Sequence, residues 1–154
     1  LDAKAYALRL IELRPRTVRE IGDKLAKRGI DKAETEAAVI WLESIGLLND
    51  EKFARDWIEN RRHFRPMGVI RLRQELRAKG IAQDIINAAV SKYQQGADDI
   101  PAALDLAQRK MKLYRNLDRE TAKRRLAGFL ARRGYGIEVV KKVLKKYILS
   151  DIFQ

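Results

Sequence analysis

The chain has 154 residues, 33 of them Lys or Arg and 21 Asp or Glu, for a formal charge of +12. Its 46% hydrophobic content excludes wholesale disorder, and the length suits one domain or several small modules of one kind. With no cysteine and His63 as the single histidine, disulfides, thiol chemistry, Cys-ligated zinc or iron–sulfur sites and two-His relays are excluded.

Only 9 glycines and 3 prolines occur, and apolar residues recur at spacings of three and four, which predicts an all-α protein. In chain order, Tyr6, Leu10 and Leu13 carry a first helix. Thr17 and Glu20 form a capping box at the start of a second, which ends at Gly29. Ala37, Ala38, Trp41 and Leu42 mark a third. The cycle resumes with Phe53, Trp57 and Phe64, then a helix over 70–79 ending at Gly80, then Ile85, Ile86, Ala89, Val90 and Tyr93. It runs once more after Asp99, read as a cap with Pro101 in the first turn. Leu104, Ala107, Met111 and Tyr114 lead to a helix ending at Gly134. A last helix over 136–148 carries Val139, Val140, Val143, Leu144 and Tyr147. The aromatics Trp41, Phe53 and Trp57 read as core.

The three middle helices align without gaps: Arg19-Glu-Ile-Gly-Asp-Lys-Leu-Ala-Lys-Arg-Gly-Ile30, Ile70-Arg-Leu-Arg-Gln-Glu-Leu-Arg-Ala-Lys-Gly-Ile81 and Arg124-Arg-Leu-Ala-Gly-Phe-Leu-Ala-Arg-Arg-Gly-Tyr135. Apolar residues four apart share a face, a cation in the last turn complements the macrodipole, and glycine takes the left-handed C′ position. The expected architecture is a tandem array of three three-helix repeats over 1–48, 49–97 and 98–154, elongated and solenoid-like. Divided that way, the charge runs +1, +4 and +7.

The cations also have direction. Arg73 and Arg77 form a stripe on one helix flank, and Lys141, Lys142, Lys145 and Lys146 lie opposite the Val/Leu face of the last helix. Arg61, Arg62 and Arg65 cluster at a helix end, while Arg124, Arg125, Arg132 and Arg133 bracket the third motif helix. Enzymatic readings fare badly, because no phosphate loop, nucleophile elbow or zinc-binding His pair is present. The carboxylate pairs Asp50-Glu51 and Asp98-Asp99 precede helices, where capping explains them, and His63 suits surface contact. A polyanion or an acidic protein surface is the expected partner. A helix-turn-helix DNA reader is the alternative. It fits less well, since Gln74 is the sole base-reading candidate on the 70–79 helix and the 136–148 helix is almost all Lys, Val and Leu.

The second repeat resembles a known family. Leu48-Asn-Asp-Glu-Lys-Phe-Ala-Arg-Asp-Trp57, then Arg61-Arg62, then Gly68-Val-Ile-Arg-Leu-Arg-Gln-Glu-Leu-Arg-Ala-Lys-Gly-Ile81 is similar to the RecX hallmark, with Asn49 for Asp and Leu72 for Ile. Leu13-Arg-Pro-Arg-Thr-Val-Arg-Glu20 is similar to the family's Arg-x-Arg-Ser-x-x-Glu-Leu segment, with Ile21 where Leu is common. The resemblance is strongest over 47–81 and weakest over 98–154. It implies a cytoplasmic regulator, without catalytic residues, cofactor or metal, that binds RecA filaments on single-stranded DNA. Such a regulator inhibits recombinase, ATPase and coprotease activities. Its contact candidates are Arg61, Arg62, Arg71, Arg73, Arg77 and Lys79; Arg65 and the third-repeat cations join them on charge alone. Direct DNA contact, a monomeric state and no membrane association complete the expectation. The opening Leu1, without Met, reads as a trimmed start lacking the family's variable N-terminal tail.

Overall fold

A computed structural model describes residues 2–96 and 99–149, and among them every regular element is a helix. The order is α1 (Ala3–Leu13), α2 (Val18–Lys27), α3 (Lys32–Ser44), α4 (Asp50–Phe64), α5 (Val69–Ala78), α6 (Gln83–Gly96), α7 (Asp99–Leu113), α8 (Arg119–Arg132) and α9 (Ile137–Leu149). The all-α expectation and the three-by-three succession of helices hold.

Starts are fixed by side chains that accept an orphan N–H of the first turn. Asp2 accepts from Ala5, Thr17 from Glu20, Asp31 from Glu34 and Asp118 from Thr121. Asn49 does the same for Lys52 at 3.0 Å, so it is the cap of α4 and Asp50-Glu51 are that helix's first two residues. Asp99 is the first described residue of α7, with Pro101 inside its first turn; residue 98 lies outside the described residues. The capping box at Thr17 is half realised: the Glu20 carboxylate meets Arg14 and Arg16.

The ends follow one design. Gly29, Gly80 and Gly134 have φ of 81°, 82° and 89°, as the left-handed C′ position requires. Each glycine N–H bonds back to Ala26, Arg77 or Ala131. The next residue's N–H bonds to Leu25, Leu76 or Leu130, in each case at 3.1 Å. Gly46 closes α3 the same way, with Leu47 N–H bonded to the Leu42 carbonyl. The cation before each motif glycine lies against a ring: Arg28 over Tyr6, Lys79 over Trp57 and Arg133 over Phe129.

The chain divides into two compact units. Unit 1 is residues 1–57 with 75–89, and unit 2 is residues 58–74 with 90–154, so α4, α5 and α6 each contribute to both. In unit 1, Ala3, Ala7 and Leu10 of α1 close on Ile21 and Leu25 of α2, Ala38 and Leu42 of α3, and Leu48. In unit 2 the cluster runs from Ala103, Leu106, Ala107 and Met111 through Ala122, Leu126, Leu130 and Tyr135 to Val140, Val143 and Tyr147. Each fully buried aliphatic side chain contributes about 1.5–3 kcal/mol. From the middle helices and the loops between them, Phe53, Ala54, Leu76, Ile81, Ile86 and Ala89 are buried within unit 1's spans, and Ile58, Met67, Leu72 and Val90 within those of unit 2.

Three expected core residues face solvent instead. Leu13 and Phe64 are 78% and 81% exposed, because each closes its helix beyond the last buried residue, Leu10 or Ile58. Ala37 is exposed because it sits about 100° round the helix from the buried Ala38. Phe53 is buried as expected, whereas Trp41 and Trp57 are half-buried.

Candidate functional site

Dividing the charge by compact unit changes its meaning. Unit 2 holds 20 basic and 8 acidic residues and unit 1 holds 13 of each, so the entire +12 belongs to unit 2. Of the fifteen cations expected to make contacts, only Arg77 and Lys79 fall in unit 1. Arg62, Arg65, Arg124, Arg125, Arg132, Lys141, Lys142, Lys145 and Lys146 are exposed, while Arg61, Arg71, Arg73 and Arg133 are half-buried.

Four of these arginines come together where α5 begins and α8 ends. Gly68 N–H donates to the Arg133 carbonyl at 2.8 Å, and Ile70 N–H to the Gly134 carbonyl at 3.2 Å. The Arg71 guanidinium donates to the Arg132 carbonyl at 3.2 Å. The approach needs both glycines: a Cβ on Gly68 would stand 2.2 Å from the Gly134 oxygen, and one on Gly134 would stand 2.3 Å from Arg71 Cβ. Orphan N–H groups of one helix thereby meet orphan carbonyls of the other, and the dipoles oppose positive end to negative end. Burial holds the Arg133 guanidinium below its ordinary pKa, and the neighbouring Arg65 and Arg71 charges add to that. A group of guanidinium ions pushing on one another is the arrangement an anionic partner relieves.

The same joint occurs inside unit 1, between the start of α2 and the end of α5. The fully buried Thr17 hydroxyl donates to the Lys79 carbonyl at 2.7 Å while accepting from Glu20 N–H at 3.1 Å. Asp50 accepts from Val18 N–H at 3.0 Å. A Cβ on Gly80 would meet the Arg19 side chain at 2.2 Å. The Lys79 ammonium lies 5.2 Å from the centre of the Trp57 ring and 4.0 Å from Glu20, so its charge is engaged within the fold. Arg77 is engaged too, its Nε donating to Gln83 at 3.2 Å. Nothing local in the sequence marked Thr17 or Asp50 as links to distant segments; the capping position of Thr17 was the one available signal.

Two tyrosines are structural. Tyr93 donates to Asp99 at 3.2 Å with Arg62 over its ring, and burial together with that carboxylate pushes its phenol up to about 12. Burial likewise raises Tyr135. His63 and Glu59 meet at 2.8 Å across one exposed helical turn, a surface pair. Unit 1 carries a groove of about 400 Å³ lined by Leu13, Pro15, Leu47 and Phe53 with Arg14, Arg16 and Lys52. Among the described residues no group of three or more acidic or histidine side chains could hold a metal ion. Nor is any of their helices long and apolar enough to cross a membrane.

Comparison with known proteins agrees along the chain. Models described as the first, second and third three-helix domains of RecX match residues 3–42, 49–90 and 97–144. The regulatory protein RecX of Streptomyces lividans is 40% identical over 150 residues, covering 97% of this chain and 79% of its own. That of Amycolatopsis mediterranei is 32% identical, with 94% and 85% covered. The crystal structure of RecX from Lactobacillus salivarius superposes with a TM-score of 0.87 at 19% identity, covering 96% of each chain, which shows a shared fold.

Proposed function

Because the chain belongs to the RecX family of regulatory proteins, we propose that it regulates RecA by binding the RecA filament on single-stranded DNA. Bound there, it inhibits the recombinase, ATPase and coprotease activities without chemistry of its own, acting as a cytoplasmic monomer.

The observation that carries this reading is the charge division. Unit 2 concentrates +12, and a filament on DNA offers the matching field in phosphates and acidic protein surface. Arg65, Arg71 and Arg133 are the foremost contact candidates because Arg65 and Arg71 both press on the Arg133 guanidinium and none of the three has a carboxylate partner among the described residues; Arg132 joins them on its exposure. Arg61, Arg62, Arg73, Arg124, Arg125 and the four α9 lysines extend the surface. Arg77 and Lys79 are secondary, since both already have partners in unit 1.

The test is single-strand-dependent ATP hydrolysis by RecA, titrated with the purified protein. Hydrolysis should slow at amounts comparable to RecA or below. An unchanged rate across the titration would overturn the reading.

A further inference from the structure

The three most exposed large apolar residues among those described are Phe64, Leu13 and Leu113, at 81%, 78% and 72%. Each is the last residue of the first helix of its repeat: α1 ends at Leu13, α4 at Phe64 and α7 at Leu113. Leu13 and Phe64 precede their motif glycines by the same number of residues, and both open an apolar-Arg-Pro triplet, Leu13-Arg14-Pro15 and Phe64-Arg65-Pro66. Leu113 lies further from Gly134, and α8 is 14 residues long where α2 and α5 are 10. One exposed apolar residue is ordinary on a protein surface. The same helix end exposing one in every repeat is a pattern that a repeating partner can read.

The chemistry of the set selects the partner. Two leucines and one phenylalanine share apolar bulk, not a π face, so base stacking does not account for all three. An apolar side chain standing out from a surface is the kind of anchor that fills a pocket on another protein. Charge complementarity describes the rim of that pocket. Arg65 adjoins Phe64 and Arg115 lies two residues past Leu113, and neither has a carboxylate partner among the described residues, whereas Arg14 beside Leu13 is paired with Glu20. A chain that presents one anchor per repeat fits a partner presenting one pocket per subunit.

We propose that Leu13, Phe64 and Leu113 are docking anchors, one per repeat, each entering an apolar pocket on a subunit of a protein filament, with an acidic rim where Phe64 and Leu113 enter. The proposal rests on the RecA-filament reading and names the protein-facing part of that contact, separate from the cationic surface.

The test compares Leu13→Gln, Phe64→Gln, Leu113→Gln and the triple variant with the unaltered protein. Filament binding is read by co-sedimentation with RecA on single-stranded DNA, and DNA binding by anisotropy of a labelled oligothymidylate without RecA. Each single change should weaken filament binding about 10-fold, the loss of one buried apolar side chain. The triple variant should lose it at concentrations that saturate the unaltered protein. Thermal midpoint and oligothymidylate affinity should stay the same in all four, and Phe64→Leu should bind filaments normally. A triple variant that binds filaments and slows ATP hydrolysis as the unaltered protein does overturns the anchors while leaving the filament reading intact. If oligothymidylate binding falls on Phe64→Gln and on Phe64→Leu, the residue is a stacking platform and the protein pocket is rejected. An unaltered protein with no affinity for filaments overturns both readings.

Discussion

Thr17 concentrates the logic of the joint in one side chain. Its hydroxyl uses its proton on the Lys79 carbonyl and a lone pair on Glu20 N–H, and no part of it reaches solvent. Thr17→Val keeps the volume but orphans a buried donor and a buried acceptor, which should cost about 1–3 kcal/mol in urea unfolding, with Thr17→Ser recovering most of it. Equal losses in the two variants would assign the effect to the methyl group instead. Asp50 makes a different prediction through its proton. Burial raises its pKa above 3.8 and Glu20 raises it further, while the Val18 N–H bond opposes both. The folded chain therefore holds that proton to higher pH than the unfolded chain does. This contribution to stability is complete below pH 3.8 and is lost as pH rises through the folded value, the reverse of a salt-bridged carboxylate. Asp50→Asn retains an acceptor for Val18 and carries no charge. Its stability should exceed the unaltered protein's at neutral pH, and the difference should shrink on acidification through that window. A variant less stable at pH 7 would show that the ionised carboxylate is favourable where it stands.

Among the elements, the motif helices end alike but are loaded differently. All three glycines have positive φ, which costs any other residue about 1–2 kcal/mol. Around Gly29 a Cβ would meet nothing within 4 Å, at Gly80 it would press on the Arg19 side chain, and at Gly134 on Arg71 backbone as well as its Cβ. Alanine substitutions should therefore be graded, with Gly29→Ala losing about 1–2 kcal/mol and Gly80→Ala and Gly134→Ala progressively more. Urea midpoints measure this, and equal losses would reject the close packing. The gradation also separates what sequence reveals from what it hides. Gly29, Gly80 and Gly134 are legible because the penalty for positive φ is local and the pattern before each repeats, an apolar residue eight back, Leu four back and a cation one back. That Gly80 receives Arg19, and Gly134 receives Arg71, depends on chain segments dozens of residues away, and no periodicity encodes it. The same limit explains Leu13 and Phe64: helical spacing places them near the apolar stripe but does not tell where the buried part of the stripe stops. Gly46 is illegible for a simpler reason, since it lacks the preceding cation and the repeat context of the others.

For the whole molecule the decisive fact is that net charge and compact unit coincide. Counted by repeat the charge forms a gradient, because the second repeat contributes to both units; counted by unit it is zero and +12. A binding surface that used charge only as a bulk property would respond to total charge alone. Two variants of equal charge distinguish the cases. Arg124→Gln, Arg125→Gln, Lys141→Gln and Lys142→Gln remove four exposed cations from unit 2, while Arg9→Gln, Lys24→Gln, Lys27→Gln and Lys32→Gln remove four from unit 1. Both leave a formal charge of +8. Exposed cations contribute about 0–1 kcal/mol per pair to folding, so both variants should keep the thermal transition. Binding to RecA filaments should weaken strongly for the unit 2 variant and little for the unit 1 variant. Where the lost contacts are to phosphate, the slope of log affinity against log salt should fall by about 0.7 per contact for single-stranded DNA. A weaker filament complex with an unchanged slope would place those cations against acidic protein surface. Equal weakening in the two variants would return the charge to a bulk property and remove the reason for seeking the interface in unit 2.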